Sequence, residues 1–227
     1  MANDRAFLES YDPADYDRPS VAVDVVLFTI REGTLQVLMT HRTEPPFAGC
    51  RALPGVFVGM DETLDEAASR ALRTKGGLSH VYLEQLYTWG APARDPRMRV
   101  ISVSYYALVP ERAAMLPEGT DAAFYPADSV AAAGDIAFDH AEIIACGRER
   151  IRTKVLWSDI AFSLLEEEFT LPQLQSVYEI LLGQKLYKAN FRKKLADRIE
   201  PTDKMTSGDA HRPSRIYRRR GDKEEKA

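Results

Sequence analysis

Cysteine is nearly missing from this chain: Cys50 and Cys146 stand alone among 227 residues, with no C-x-x-C spacing. A disulfide framework and a thiolate metal site are thereby excluded, and both residues read as small buried hydrophobes in a reducing, cytoplasmic setting. Long apolar runs are missing too. The best candidate, VAVDVVLFTI, is interrupted by Asp24 and falls far short of the ~18 residues that a membrane span needs. The polar start MANDRAFLESYDPADYD carries no secretory stretch. Histidine is sparse and scattered (His41, His80, His140, His211), and neither a solenoid-type repeat nor a long low-complexity tract is found. What is present, 45% hydrophobic and 28% charged residues, suits one large domain or a medium and a small one.

The formal net charge of −4 hides a segregation. Residues 185 to 220 hold twelve Lys or Arg against four Asp or Glu, whereas the rest of the chain holds 18 basic and 30 acidic residues. An acidic body with a basic end points to a polyanion-binding module joined to a separate unit. A solvated basic tail would give the same count, so pattern must decide.

Two differently built regions emerge. Residues 20 to 30 (SVAVDVVLFTI) and 34 to 42 (TLQVLMTHR) are β-branched and separated by Arg31-Glu32-Gly33, which predicts a hairpin. Further strands are expected at 51 to 58, 81 to 89, 99 to 109 and 121 to 126, with helices over 62 to 75 and 139 to 155. This is an α+β pattern, a mixed sheet with helices packed on it. From residue 159 the chain turns into three short helical segments, IAFSLL, LPQLQSVYEILLG and ANFRKKLADRI, followed by the strand-like SRIYRRR. The boundary is placed at Trp157-Ser158, giving domains 1–157 and 158–227.

The second region has helix-turn-helix spacing. Thr170 is a good N-cap ahead of Leu171-Pro172, and Leu174, Val177, Tyr178 and Leu181 form an apolar stripe that stops at Gly183. A second helix turns Phe191 and Leu195 inward and leaves Lys188, Asn190, Arg192, Lys193 and Lys194 outside. In a major groove, Asn pairs with adenine and Arg or Lys with guanine, while neighbouring cations neutralise phosphates. Arg212, Arg215 and Arg218 are expected on a small wing facing the DNA backbone or minor groove.

Residues 54 to 78, PGVFVGMDETLDEAASRALRTKGGL, carry a glycine-bearing loop and then a helix capped by Thr63 or Asp61, with Ala67, Ala68, Ala71 and Leu72 on one face. Glu62 and Arg70, eight residues apart, share a side of it. The stretch resembles the Nudix box, with Gly55, Glu62, Arg70 and Gly77-Leu78 in matching places. In that family three glutamates hold a catalytic magnesium; here their positions are Ala71, Thr74 and Lys75, and Val56 replaces the second glycine. Magnesium wants hard oxygen ligands, so the resemblance implies a diphosphate pocket with no catalytic residues and no metal. Acidic Asp61, Glu62, Asp65 and Glu66 suit the dipole of the helix start.

Two further stretches, LEQLYTWGAPARDPRMRVISVSYYALVP and FTLPQLQSVYEILLGQKLYKANFRKKL with HRPSRIYR, resemble the Nudix-related transcriptional regulators of NAD metabolism and their winged helix. The resemblance spans residues 18 to 220 and implies a Nudix-like mixed sheet sandwiched by helices, followed by a C-terminal winged helix-turn-helix. It implies a homodimer on a palindromic operator in double-stranded DNA, repressing genes of NAD synthesis or salvage. No cofactor is required, and the effector is ADP-ribose or a related NAD-derived nucleotide. Arg42, Glu62, Arg70, Lys75, Trp89, Asp95 and Arg97 are the ligand-binding residues that follow: Arg for diphosphate, Trp for stacking on a base, Lys75 for part of the missing magnesium's charge. A plainer alternative makes Asp95 and Arg97 an ordinary ion pair, Trp89 core and Lys75 a helix-end cation. Two other functions stay open, a sugar-responsive regulator of pentose use and a hydrolase that recruits carboxylates from elsewhere.

Overall fold

A computed structural model describes residues 2–130, 133–206 and 213–221. After helix α1 (Ala2–Ser10), strands β1 (Ser20–Arg31) and β2 (Thr34–His41) form the expected hairpin through Glu32 and Gly33, both with positive φ, as a two-residue turn demands. The strand expected at 51 to 58 is two pieces, β3 (Arg51–Ala52) on β2 and β4 (Gly55–Phe57) on β1. Pro54, lacking an N–H, breaks it, and its carbonyl accepts from Val25 N–H at 2.9 Å. Helix α2 (Leu64–Ala71), strands β5 (Glu84–Trp89), β6 (Val100–Leu108) and β7 (Ala122–Pro126), helix α3 (Ala127–Val130) and the fifteen-residue α4 (His140–Lys154) complete this part. The sheet runs β3-β2-β1-β6-β5, with β4 also on β1, β7 on β2, and β1 parallel to β6.

Alternation along β1 sorts its side chains between two cores. Val23, Val25 and Leu27 face α2 and the residue after it, where Ala67, Ala68, Ala71 and Leu72 are at most 1% exposed, while Val26 and Phe28 face α4. The alanine face lets α2 lie close to the sheet. Thr63 and Glu66 form a reciprocal capping box at its start. The helix is shorter than expected because the chain widens into a π-turn over Leu72–Gly76, where the Thr74 hydroxyl donates to the Arg70 carbonyl at 2.8 Å. Gly77, at φ +66°, ends it.

The C-terminal part has a 3-10 turn (Ile160–Leu164), strand β8 (Glu168–Thr170), helices α5 (Leu171–Leu182) and α6 (Lys188–Leu195), and strands β9 (Ile199–Met205) and β10 (Arg215–Arg219). The strands make a small sheet, β8-β10-β9. Strands β8 and β9 escape the sequence pattern: one is three residues long, and the other is an edge strand carrying Pro201 and Asp203. Leu174, Val177, Tyr178, Leu181, Phe191 and Leu195 are all buried, and their cluster is continuous with Ile151 and Val155 of α4. Apolar packing therefore crosses the 157/158 position without a break. Among the described residues no helix is long and apolar enough to cross a membrane.

A buried polar network ties β1 to α4. Asp24, 6% exposed, accepts from the Ser102 hydroxyl at 2.5 Å and meets Arg94 at 3.4 Å; Arg94 grips Asp139 with two hydrogen bonds of 2.6 and 2.8 Å. Leu53 N–H donates to His140 Nδ1 at 2.9 Å, so the imidazole is neutral, with its protonated Nε2 3.4 Å from Asp24 Oδ1. Burial pushes the His140 pKa below the usual imidazole value, outweighing the pull of Asp24 and Asp139. Gly55 passes so close that an added Cβ would stand 2.2 Å from Asp24 Oδ1.

Two outcomes are expected. Gly55→Ala, which forces a held carboxylate aside, lowers unfolding stability in urea by about 2–4 kcal/mol; a loss under ~0.5 kcal/mol would contradict the close approach. His140 refuses a proton that the unfolded chain accepts below its ordinary pKa of ~6.5. Stability therefore falls as pH drops below about 6.5, by at most ~1.4 kcal/mol per unit, and His140→Asn flattens that fall; an unchanged slope in the variant would count against it.

Candidate functional site

A cavity of about 500 Å³ opens where β1, β2 and the β3–β4 segment meet the loop before β6 and the start of α4. Asp24, Arg94 and His140 form its floor. Of the ligand residues expected from sequence, Arg42, Lys75, Asp95 and Arg97 line it. Arg42 Nε donates to the Pro46 carbonyl at 2.8 Å and its Nη2 to the Glu44 carbonyl at 3.2 Å. Burial, then the neighbouring Arg97, holds its pKa below the usual guanidinium value. The Asp95 carboxylate works the other way, and the bonds to carbonyl oxygens hold the guanidinium on the cavity wall. Lys75 is exposed on the π-turn wall and joins no ion pair among the described residues. Asp95 and Arg97 realise the plainer alternative, a bidentate pair at 3.0 and 2.7 Å that depresses the Asp95 pKa, and they do so at the cavity edge.

Three expected ligand residues lie elsewhere. Glu62 and Arg70 face a separate shallow groove on α2 and bind each other, at 3.0 Å from Nε and 2.5 Å from Nη2, while Nη2 also donates to the Phe57 carbonyl at 2.8 Å. The Arg70 hydrogen bonds, then Gly59 N–H, bring the Glu62 pKa down to about 2. The pair staples the glycine loop to the helix, and it holds the Nε and Nη2 side of the Arg70 guanidinium away from the cavity. Trp89 lines neither cavity nor groove; its Nε1 donates to Ser104 Oγ at 2.9 Å and its ring packs on Tyr87 beside the α4-side core. The stacking role expected for it is corrected to packing.

The donor set does not fit magnesium. Ala71 is fully buried, the Thr74 hydroxyl is given to Arg70, and Lys75 is cationic. Three of the nearby carboxylates have structural partners: Glu62 has Arg70, Glu66 caps Thr63, and Asp65 accepts from Tyr105 OH at 2.6 Å. Among the described residues no three His, Cys, Asp or Glu are grouped to hold a metal.

The second candidate surface is α6. A Thr170–Gln173 capping box starts α5 and Gly183, at φ +67°, ends it. Glu179 then holds the turn, accepting from Lys185 Nζ at 2.8 Å, Leu186 N–H at 3.0 Å and Gln175 Nε2 at 2.8 Å, which lowers its pKa to about 2. Phe191 and Leu195 fasten α6 inward, while Lys188, Asn190, Arg192, Lys193 and Lys194 are all exposed and outside any ion pair among the described residues. Arg215 is exposed on β10. Arg218 is instead tied to Glu200 at 2.6 Å across the small sheet, and Arg212 lies outside the described residues. The sequence reading missed Tyr187, 84% exposed at the head of α6, and also Phe138 on the cavity wall with Asp24 and Arg94 beneath it. A buried Asp in an apolar run was the available signal for Asp24; Phe138 left none.

The sequence profile of the NUDIX domain matches residues 18–145, and that of the NrtR DNA-binding winged helix domain matches residues 161–219. A protein of Acinetobacter baylyi described as an ADPR responsive transcriptional repressor is 33% identical over 223 residues, 96% of this chain and 89% of that one. The crystal structure of Shewanella oneidensis NrtR complexed with a 27mer DNA is similar with a TM-score of 0.79 and 34% identity, over 88% of this chain and 93% of that one. Its NUDIX domain complexed with ADP ribose is similar with a TM-score of 0.56 and 33% identity, over 65% of this chain and 97% of that one. With its cavity in the first part and its cationic helix in the second, the chain belongs to the NrtR family, a Nudix domain followed by a DNA-binding winged helix.

Proposed function

We propose that this protein is a ligand-responsive DNA-binding transcriptional repressor of NAD synthesis or salvage genes, released from its operator by ADP-ribose. One observation carries the reading: α4 spans the molecule between the two surfaces. Its first turn stands on the cavity floor through Asp139 and His140, and its last turns share a core with α5, which carries α6. A ligand that binds the two placements of α4 unequally shifts DNA affinity by that difference and no more. The relatives support ADP-ribose and DNA as the two partners.

Residues 1–157 act as sensor and 158–227 as DNA-binding module in this reading. The protein works in the cytoplasm as a homodimer, since a two-fold operator needs two recognition helices. It is not a hydrolase: Ala71, Thr74 and Lys75 supply no carboxylate, and a sensor gains from binding without cleavage. Arg42 and Lys75 receive the diphosphate, and Asn190 and Arg192 read bases.

In gel shifts on a palindromic duplex selected from a random pool, Arg192→Ala costs about 1–3 kcal/mol and relaxes sequence preference, whereas Lys194→Ala weakens all sequences alike. ADP-ribose releases the wild-type complex; indifference to it sinks the effector assignment. In calorimetry without magnesium, Arg42→Ala with Lys75→Ala weakens ADP-ribose binding at least about tenfold, and unchanged affinity removes both from the site. Incubation with magnesium and ADP-ribose yields no AMP; steady release of AMP would restore the hydrolase reading.

A further inference from the structure

The start of α6 forgoes a stabilising residue. Helices α2 and α5 each open on a threonine whose hydroxyl accepts the N–H three residues on, with a Glu or Gln side chain returning the bond. At the head of α6 the corresponding residue is Tyr187, at φ −72° and ψ 116°, and its side chain makes no cap bond. A rigid phenol ring cannot fold back onto the first turn of its own helix as a short hydroxyl or carboxyl does. Packing does not make good the loss: Tyr187 is 84% exposed, and among the described residues its ring and hydroxyl meet no partner. The side chain serves neither the helix start nor a core.

The ring stands at the head of a run of unpaired cations. Lys188, Arg192, Lys193 and Lys194 follow it, whereas Lys185 is tied to Glu179, Lys204 to Glu168, Arg218 to Glu200 and Arg219 to Asp159. In a helix-turn-helix the first residues of the second helix are the ones that contact base edges in the major groove. Those edges present hydrogen-bonding groups, which Asn190 and Arg192 suit, and one apolar group, the C5-methyl of thymine, which an apolar side chain recognises. Ala189, exposed between Lys188 and Asn190, offers a single methyl group. The Tyr187 ring offers a broad apolar face.

We propose that Tyr187 is a specificity-determining residue of the DNA-binding surface, its ring packing on the C5-methyl of a thymine in each half-site. The inference rests on α6 being the recognition helix. It adds an apolar contact to an interface otherwise built from charge and hydrogen bonds. Because that contact neutralises no phosphate, it leaves the salt dependence of binding untouched.

The test uses the full chain and a palindromic duplex selected from a random pool, with each symmetric pair of thymines replaced in turn by deoxyuridine, which lacks only the methyl group. At one such pair the replacement is expected to lower wild-type affinity about ten- to twentyfold, roughly fourfold from each half-site. Tyr187→Ala loses a like factor on the thymine duplex, no longer distinguishes thymine from deoxyuridine at that pair, and keeps the wild-type salt slope. Tyr187→Phe, which retains the ring, behaves as wild type. Both variants keep the wild-type thermal midpoint, since the side chain is exposed and without contacts. Undiminished discrimination in Tyr187→Ala overturns the inference, as does the absence of any methyl-sensitive pair. So does a loss in Tyr187→Phe equal to that in Tyr187→Ala, which would assign the hydroxyl to a phosphate, or a marked fall in thermal midpoint. A wild-type protein that selects no duplex overturns the DNA-binding reading beneath it.

Discussion

An ionised carboxylate removed from water costs several kcal/mol unless it is paired and hydrogen-bonded, and Asp24 lies 6% exposed on the central strand of the sheet. The surroundings follow from that constraint. Arg94 is drawn inward from the loop before β6, and its second carboxylate, Asp139, fixes where α4 begins. His140 stays neutral beside them by accepting the Leu53 N–H, so the β3–β4 segment is placed by the same cluster. Gly55 is there because no Cβ fits against the carboxylate. The floor of the cavity and the first turn of α4 are in this way one electrostatic unit.

The degenerate box follows a related logic. In α2 the remaining acidic side chains each have an internal partner, so the helix holds its place without a metal to neutralise it. The Glu62–Arg70 pair that might be read as catalytic machinery is a staple, and the free positive charge is on the other side, at Arg42 and Lys75. With Ala71, Thr74 and Lys75 on its last turns, the helix side of the cavity offers a cation and no carboxylate.

Much of the fold was legible because local signals agree with the global packing. The β-branched run of β1, the alanine face of α2, the Thr170 cap and the buried stripe of α5 each state their element in a few residues. The elements that escaped, β8 and β9, take their conformation from pairing with β10 and not from propensity. The candidate site was legible only in part. Arg42, Lys75, Asp95 and Arg97 converge, but Trp89 turned to the core because its indole found Ser104, and Phe138 came from a segment without period or motif. Arg94 and Asp24, seventy positions apart, meet only through the sheet, and no short-range pattern encodes such a pair.

The Glu179-held turn gives α6 an unusual independence. Its geometry is set from beneath, by Phe191, Leu195 and three hydrogen bonds to one carboxylate, while the outward positions carry no duty toward the fold. Substitutions on the outer face of α6 can therefore accumulate, or be designed, without disturbing the packing of the rest of the chain. The same architecture lends itself to grafting: the winged helix can be given a new outer face on α6 while the apolar core that joins it to the Nudix domain is left intact.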